Sequence, residues 1–474
     1  MKPLHYTHPT LHIAEERILN RAADDDAFLG YARTCTRQPF SVVLLSGGKA
    51  RSPGNNRYSI AGWDPLLIFK SKGTRCTLTT AYETSRIQSD PLQVLDRLFP
   101  AMPPEESPRA PLPFAGGAMG YFAYDLKNSI EKLPQTATDD LDLPDILLSW
   151  PGKILIHDRL EKELRLLTLA TNRESRAHSP IPHPSRPAEV PLKVKAGELQ
   201  SNFSHEAYLH AVRTVRDYIR EGDAYQVNLS QRYQFPFEGE PFELWTAMFH
   251  LNPAPFYAYV HGGDHHVLST SMERFLYRRG SYVETRPIKG TRKRGKTPGE
   301  DDLLARDLLQ NPKDDSELSM IVDLLRNDLG RVCKPRSIRV EEHKRLETYR
   351  NVHHLVSIVK GQLRENTTYG EILRATFPGG SITGCPKIRA MEIIDELEPN
   401  VRHIYTGAIG YLGCQNNLDL NIAIRTAIVR GNTCYFSVGG GIVYDSNEED
   451  EYQETLHKGR TLFQLIEKIG KTAV

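Results

Sequence analysis

The chain has 474 residues, with 60 Lys and Arg against 59 Asp and Glu and a formal net charge of +1. This length allows several units of about 150 residues or one large composite domain, and the charge balance argues against a dedicated nucleic-acid binder. Six cysteines without a C-x-x-C pair indicate neither a zinc cluster nor a disulfide scaffold.

Residues 1–20 carry charges and histidines where a signal peptide needs an apolar core, and no run of about 18 apolar residues occurs. A soluble, cytoplasmic protein without a membrane partner is expected. Apolar residues at 41–45 and 58–69 flank a polar segment at 49–56 and predict strand, loop, strand. The glycine-rich run 113–122 reads as a buried strand or turn where backbones approach closely. It lacks G-x-G-x-x-G spacing, and the chain has no G-x-x-x-x-G-K-[ST] phosphate loop. Strands are expected at 146–150, 153–157 and 163–170. Five prolines among polar residues at 171–191 mark a linker. It divides an amino-terminal region, 1–170, from a carboxy-terminal region, 201–474, across residues 171–200.

Ser204 can cap a helix to about Glu221 that shows Tyr208, Ala211, Val212, Val215 and Ile219 on one face. A strand at 225–233, a helix at 242–250 and a hairpin of 256–260 with 266–271 follow. The histidines between the hairpin strands read as a polar turn. Helices are expected at 300–309, 317–325, 369–375 and 386–397, the last with Pro386 in its first turn, and 351–360 reads as strand or helix, with helix preferred. Strands are expected at 406–412, 421–429 and 433–438, the last broken by Gly439-Gly440-Gly441, and a helix closes the chain from about 447 to 469.

Lys289 stands apart from the cations beside it. Pro287 and Ile288 favour an extended approach, and Gly290 lets the chain turn or meet a ligand. The following run, 292–296, reads as a solvated basic loop. Such a lysine, partly desolvated, is a candidate nucleophile or base. Asp314 with Glu317, and Glu451 with Glu454, are each three apart at the start of a helix and share a face. Each pair either complements the helix dipole or, with the other, offers oxygens to Mg2+. Gly439-Gly440-Gly441 is an anion nest or a tight turn, and the segment 379–384 before a helix makes a similar offer. Arg425, in an apolar strand, needs an anionic partner. Together these groups suit a small dicarboxylic substrate.

At these residues the chain resembles the chorismate-utilising enzymes. The markers are Asp223-Ala224-Tyr225-Gln226-Val227-Asn228-Leu229-Ser230, Ser271-Met272-Glu273, Pro287-Ile288-Lys289-Gly290-Thr291, the run 320–330, His354-Leu355-Val356-Ser357, Gly384-Cys385-Pro386-Lys387, and 439–446. Within the family, anthranilate synthases typically read Pro-Ile-Ala-Gly-Thr and aminodeoxychorismate synthases Pro-Ile-Lys-Gly-Thr, as here. An anthranilate-forming enzyme is the alternative.

The resemblance implies an α/β sandwich of two facing antiparallel-rich sheets wrapped by helices. It implies Mg2+ on Glu317 and Glu454, with Asp314 and Glu451 acting through water. Arg425, Tyr411, Lys458, Gly440 and Gly441 would hold the enolpyruvyl carboxylate of chorismate, and Thr291, Thr383 and Gly384 would line the ring-carboxylate side. Glu273 would be a general acid, His354 a polar partner of the ring, and Lys289 a covalent nucleophile displaced by ammonia to give 4-amino-4-deoxychorismate. Ammonia would come from solution or from a separate glutaminase subunit, since no G-x-C-x-G nucleophile turn occurs in the chain. Ser46, Arg57, Tyr58 and Pro253 fall where relatives carry a tryptophan pocket. Met272 and Leu318 depart from the usual Ser-Pro-Glu and Glu-Asn, the first beside Glu273.

Overall fold

The computed structural model describes residues 11–48, 56–99, 112–171, 183–186, 192–194, 199–349 and 352–472. The amino-terminal strands are β1 (Leu11–Asn20), β2 (Val42–Leu45), β3 (Tyr58–Lys72), β4 (Arg75–Thr79), β5 (Thr84–Gln88), β6 (Gly117–Phe122), β7 (Ile146–Asp158) and β8 (Glu163–Thr171), with helices α1 (Asp25–Cys35) and α2 (Pro91–Arg97). Next come β9 (Lys193–Val194), β10 (Gln200–Ser201), α3 (His205–Arg220), β11 (Gln226–Glu238), α4 (Pro241–Leu251), β12 (Tyr257–His261), β13 (His265–Ser269), β14 (Arg274–Arg279), β15 (Tyr282–Thr285) and β16 (Ile288–Lys293). The remainder holds α5 (Pro298–Gln310), α6 (Pro312–Gly330), β17 (Arg339–Thr348), β18 (Val352–Gln362), α7 (Tyr369–Thr376), β19 (Gly384–Cys385), α8 (Lys387–Leu397), β20 (Ala408–Gly413), β21 (Asn417–Ile422), β22 (Thr426–Arg430), β23 (Thr433–Ile442) and α9 (Glu448–Thr472).

Two long strands, β3 and β7, serve both sheets. Their partner halves diverge: 60–62 of β3 pairs with β2 and 68–72 with β4, while 146–149 of β7 pairs with β6 and 153–158 with β8. From this pair one antiparallel path runs through β2, β12, β13, β22, β23 and β11, and the other through β6, β20, β21, β14, β15 and β18. Amino- and carboxy-terminal regions therefore meet within each sheet, through β2 on β12 and β6 on β20. Residues 146–150 and 153–157 form one strand rather than two. Pro151 lies opposite Pro65 at a register shift where the ladder needs no donor from it.

Alternation along the strands decides what each face meets. Val42, Ala258, Val260, Val267 and Ile428 of the first path join Phe275, Leu276, Ile409, Leu418 and Leu420 of the second in one core. Their neighbours Val43, Tyr257, Tyr259, Leu268 and Val429 pack instead against Phe28, Trp245, Phe249 and Leu462 from α1, α4 and α9. Tyr208 and Val212 of α3 and Ile393 of α8 cover Val227 and Leu229 of β11.

Residues 352–362 form strand β18, not a helix. Both faces of β18 are buried, so its Val, Leu and Ile run shows neither period clearly. The glycines 439–441 continue β23 rather than ending it, paired with Ser230, Leu229 and Asn228. Most of the 171–191 linker lies outside the described residues, as does nearly all of the 49–56 loop. The described piece 183–186 docks on α1, with Ser185 N–H donating to Gly30 O at 2.9 Å. Among the described residues no helix is long and apolar enough to cross a membrane.

Candidate active site

β16 carries Lys289 along the edge of β18, with Gly290 as the extra residue of a bulge between Lys289 and Thr291. Gly290 has φ 68°, and a Cβ there would lie 3.0 Å from Asp314 Oδ1 and 2.8 Å from Leu308 Cδ1. Only glycine therefore lets the bulge meet α5 and the start of α6. The Lys289 side chain is 13% exposed, with Nζ 3.9 Å from Glu317 Oε2. Burial lowers its pKa, Glu317 opposes this, and Lys458 lowers it further.

One acid of each pair, Glu317 and Glu454, acts electrostatically on this amine. Asn311 caps α6 by accepting from the N–H groups of Lys313 and Asp314, which fixes the turn bearing Asp314 and Glu317. A Cβ at Gly440 would stand 3.1 Å from Glu451 Oε2, 3.6 Å from Glu454 Oε1 and 3.6 Å from Lys458 Nζ. A Cβ at Gly441 would stand 3.5 Å from Lys289 Nζ. The glycines thus leave room for charged side chains over the strand.

Lys458 pairs with Glu454 at 2.5 Å and holds its carboxyl below the usual range, while burial raises Glu451, which accepts from Ser446 Oγ at 2.6 Å. Arg292 holds Asp314 at 3.0 Å and also pairs with Asp307, and Arg294 grips Asp301. This corrects the reading of 292–296 as solvated: two of its cations fasten β16 to α5 and α6. Hard carboxylate oxygens around a glycine cradle are the donors Mg2+ takes. Among the described residues no three His, Cys, Asp or Glu side chains stand together so as to hold a metal ion.

Arg425 is not inside a strand. It sits between β21 and β22 with φ 52°, its carbonyl accepting from both the N–H and Oγ1 of Thr270 at 3.0 Å. Its guanidinium donates to Lys458 O, and burial lowers its pKa against the opposing influence of Tyr405 and Glu454. Tyr411 is placed elsewhere. It lies on β20 between Met119 and Asp419, its ring 5.1 Å from that of Phe114, in the neighbourhood of Asp419 and Arg274. The tyrosines that bear electrostatically on Arg425 are the buried Tyr405 and Tyr257, which no sequence signal singled out.

Glu273 is buried, with Ser381 Oγ donating to it at 2.8 Å. Burial pushes its pKa up to about 7, opposed by the Ser381 hydrogen bond and by Lys289. Ser271 Oγ donates to Ile422 O at 2.7 Å and accepts from Glu273 N–H at 3.2 Å, so the turn is fastened although Met272 replaces proline. His354 Nδ1 meets Thr291 Oγ1 at 2.9 Å, and burial with Arg425 nearby lowers its pKa to about 4. Its ring is neutral at neutral pH. Thr383 O accepts from Asn228 N–H at 2.8 Å, and Gly384 pairs with Val227.

Gln226 is the residue that sequence reasoning passed over. Both atoms of its buried amide lack a hydrogen-bond partner among the described residues, and Nε2 is 2.6 Å from where a Gly441 Cβ would stand. An unsatisfied amide beside Lys289 is a ready ligand contact. At Gly384, φ is 146° and a Cβ would fall 2.1 Å from Gln226 O. Replacing Gly384 with Ala is expected to cost at least about 2 kcal/mol of stability, read as a lowered denaturation midpoint.

Ser46, Tyr58 and Pro253 gather away from Lys289, where β2 and β3 meet the end of α4. Ser46 Oγ donates to Tyr58 O at 2.7 Å, Arg57 lies over the Tyr58 ring at 4.9 Å while paired to Asp158 at 2.7 Å, and Pro253 O faces Gly48.

A profile of the chorismate binding enzyme family matches residues 43–464, and the chain belongs to that family. Its relatives include aminodeoxychorismate synthase component 1 of Salmonella typhimurium, 40% identical over 426 residues, covering 90% of this chain and 93% of that protein. Anthranilate synthase component 1 of Thermus thermophilus is 39% identical over 445 residues, covering 92% and 94%. The crystal structure of anthranilate synthase component I from Streptococcus pneumoniae superposes with a TM-score of 0.75 at 32% identity, covering 87% of this chain and 93% of that one.

Proposed function

We propose that this chain is the chorismate-aminating component of an aminodeoxychorismate synthase. It converts chorismate and ammonia to 4-amino-4-deoxychorismate and water, on the way to 4-aminobenzoate and folate. Aminodeoxychorismate synthase relatives are somewhat closer than anthranilate synthase relatives, at 40% against 39% identity for the two compared above, and the observation that carries the choice is Lys289, a desolvated amine among acids, where anthranilate-forming relatives typically have alanine. Neutral Lys289 attacks ring C2, both conjugated ring double bonds shift by one position, and the C4–O bond breaks as Glu273 passes its proton to the departing hydroxyl. Ammonia then attacks C4, the double bonds shift back, the C2–N bond to Lys289 breaks to restore the amine, and the proton that the incoming nitrogen loses returns to Glu273. Splitting one displacement into two is the gain of covalent catalysis. Neutral His354 orients the ring without adding positive charge.

Arg425 with Tyr405, and Lys458 with the Gly440 and Gly441 backbone, receive the enolpyruvyl carboxylate. Thr291, Thr383 and Gly384 line the ring-carboxylate side. Glu317 and Glu454 would bind Mg2+, with Asp314 and Glu451 reaching it through water. The ion would supply positive charge between the two substrate carboxylates. A separate glutaminase component would deliver ammonia, and Ser46, Arg57, Tyr58 and Pro253 would border a tryptophan site.

Incubation with chorismate, Mg2+ and ammonium should yield 4-amino-4-deoxychorismate without pyruvate. Chelation should stop the reaction, and added Mg2+ should restore it. Anthranilate with pyruvate would assign the alternative activity, and full turnover in chelator would remove Mg2+.

A further inference from the structure

Behind Tyr405 lies an ion pair that the proposed chemistry does not use. Arg402 is 2% exposed and Glu398 5% exposed, and their side chains meet twice, Nε to Oε2 at 2.9 Å and Nη2 to Oε1 at 2.6 Å. Replacing such a pair by apolar residues is often neutral or stabilising, so stability alone is a weak account of it. What distinguishes this pair is where its remaining hydrogen bonds go. Arg402 Nη1 donates to Ile382 O at 3.0 Å, in the segment leading to Thr383 and Gly384. Nη2 donates to Asn228 O at 2.6 Å, and the N–H of that same Asn228 donates to Thr383 O at 2.8 Å. Glu398 Oε1 accepts from both N–H and Oγ of Ser230, at 2.8 and 2.9 Å. One buried charge pair thus fastens β11, the 380–384 segment and the stretch preceding Tyr405.

The backbone around Tyr405 needs such a fastening. His403 has φ 52° and Thr406 φ 61°, left-handed values that are costly for side-chain-bearing residues and most of all for a β-branched one. Arg402 contacts Thr406 Oγ1 at 3.4 Å and lies 5.9 Å from the Tyr405 ring centroid. The Thr406 N–H donates to Ala423 O at 2.8 Å, and the Ala423 N–H to Gly407 O at 2.9 Å. The strained turn that carries Tyr405 is therefore laced to the segment that carries Arg425, itself left-handed at φ 52°. Strain of this kind persists only where the surroundings over-determine the conformation.

We propose that Arg402 and Glu398 are positioning residues: their buried pair fixes the strained turn 403–406 so that Tyr405, Arg425 and the Thr383–Gly384 wall form one carboxylate-binding surface. This rests on the reading of Arg425 and Tyr405 as the enolpyruvyl-carboxylate site.

The test uses the full chain in the ammonium-dependent reaction, with KM for chorismate and kcat measured separately. Arg402→Lys keeps the charge and loses the fork, and Glu398→Gln keeps the shape and loses the charge. Each is expected to raise KM about tenfold or more while kcat falls less than about threefold, the signature of lost substrate binding. In the double variant with Tyr405→Phe, Arg402→Lys should add less than it does alone, because part of its effect runs through the same phenol. Thr406→Gly relieves the strain, should fold readily, and is expected to raise KM several-fold by freeing the turn. A merely structural role would lower kcat through a smaller active fraction and leave KM unchanged, and either that result or independent effects in the double variant overturns the proposal. If Arg402→Lys does not fold, an unchanged KM for Thr406→Gly overturns it. An unchanged KM for Arg425→Gln would instead overturn the carboxylate-site reading, which separates the two failures.

Discussion

Replacing Lys289 with Ala should reduce formation of 4-amino-4-deoxychorismate by about a thousandfold or more, as removal of a nucleophile does when its partners remain. The fold has little reason to object. The side chain crosses a space left by Gly441 and touches acids rather than core, and the rest of β16 is held by β18 and by the ion pairs of Arg292 and Arg294. Removing the cation leaves Glu317, Glu454 and Glu273 less compensated, so chorismate binding should change less than turnover. Two measurements are decisive: product formation by chromatography, and the mass of wild-type protein quenched during turnover without ammonia. A lysine adduct in the wild type and none in the variant is expected. Near-normal amination by the variant would sink the covalent route.

How much of this site was legible in the sequence depended on whether the signal was local. Asp314 with Glu317 and Glu451 with Glu454 were readable because the spacing of three places both acids of a pair on one face of a helix. That Glu451 and Glu454 come over Gly440 while Lys289 comes over Gly441 follows from β23 continuing through its glycines, which local composition argued against. Arg425 was legible as an arginine that must have an anionic partner. Its left-handed break was not, because apolar residues on both sides imitate one strand. The run 292–296 misled for a different reason. The partners Asp301, Asp307 and Asp314 come from two later helices, and only the packing of those helices on β16 makes the charges structural. Tyr405 and Gln226 carry no compositional signal at all; what marks them is a buried phenol beside a guanidinium and an amide left unpaired. The two-sheet architecture came from the resemblance, since strands such as β18, buried on both faces, erase the alternation that would show a sheet.

The pH profile should separate the acid from the nucleophile. With burial as the main cause, Glu273 has its pKa raised to about 7, so it holds a transferable proton below that value and loses it as pH rises. Lys289 must instead be unprotonated, and burial lowers its pKa, so the part of the rate it governs rises with pH. At constant free ammonia the single-turnover rate should therefore carry two opposed pH dependences, the one set by Glu273 being a loss of rate as pH rises through about 7, its alkaline limb. Glu273→Gln should cost about a hundredfold to ten-thousandfold in rate. More tellingly, it should abolish the alkaline limb while leaving the rise governed by Lys289 in place, since the amide neither titrates nor donates a proton to the leaving hydroxyl. Ser381 can still donate to the amide oxygen, so the segment bearing Thr383 should stay anchored and KM for chorismate should hold. A variant that kept the alkaline limb would move the acid role to another group. A variant with normal rate would show that the C4 hydroxyl leaves without a protein proton donor.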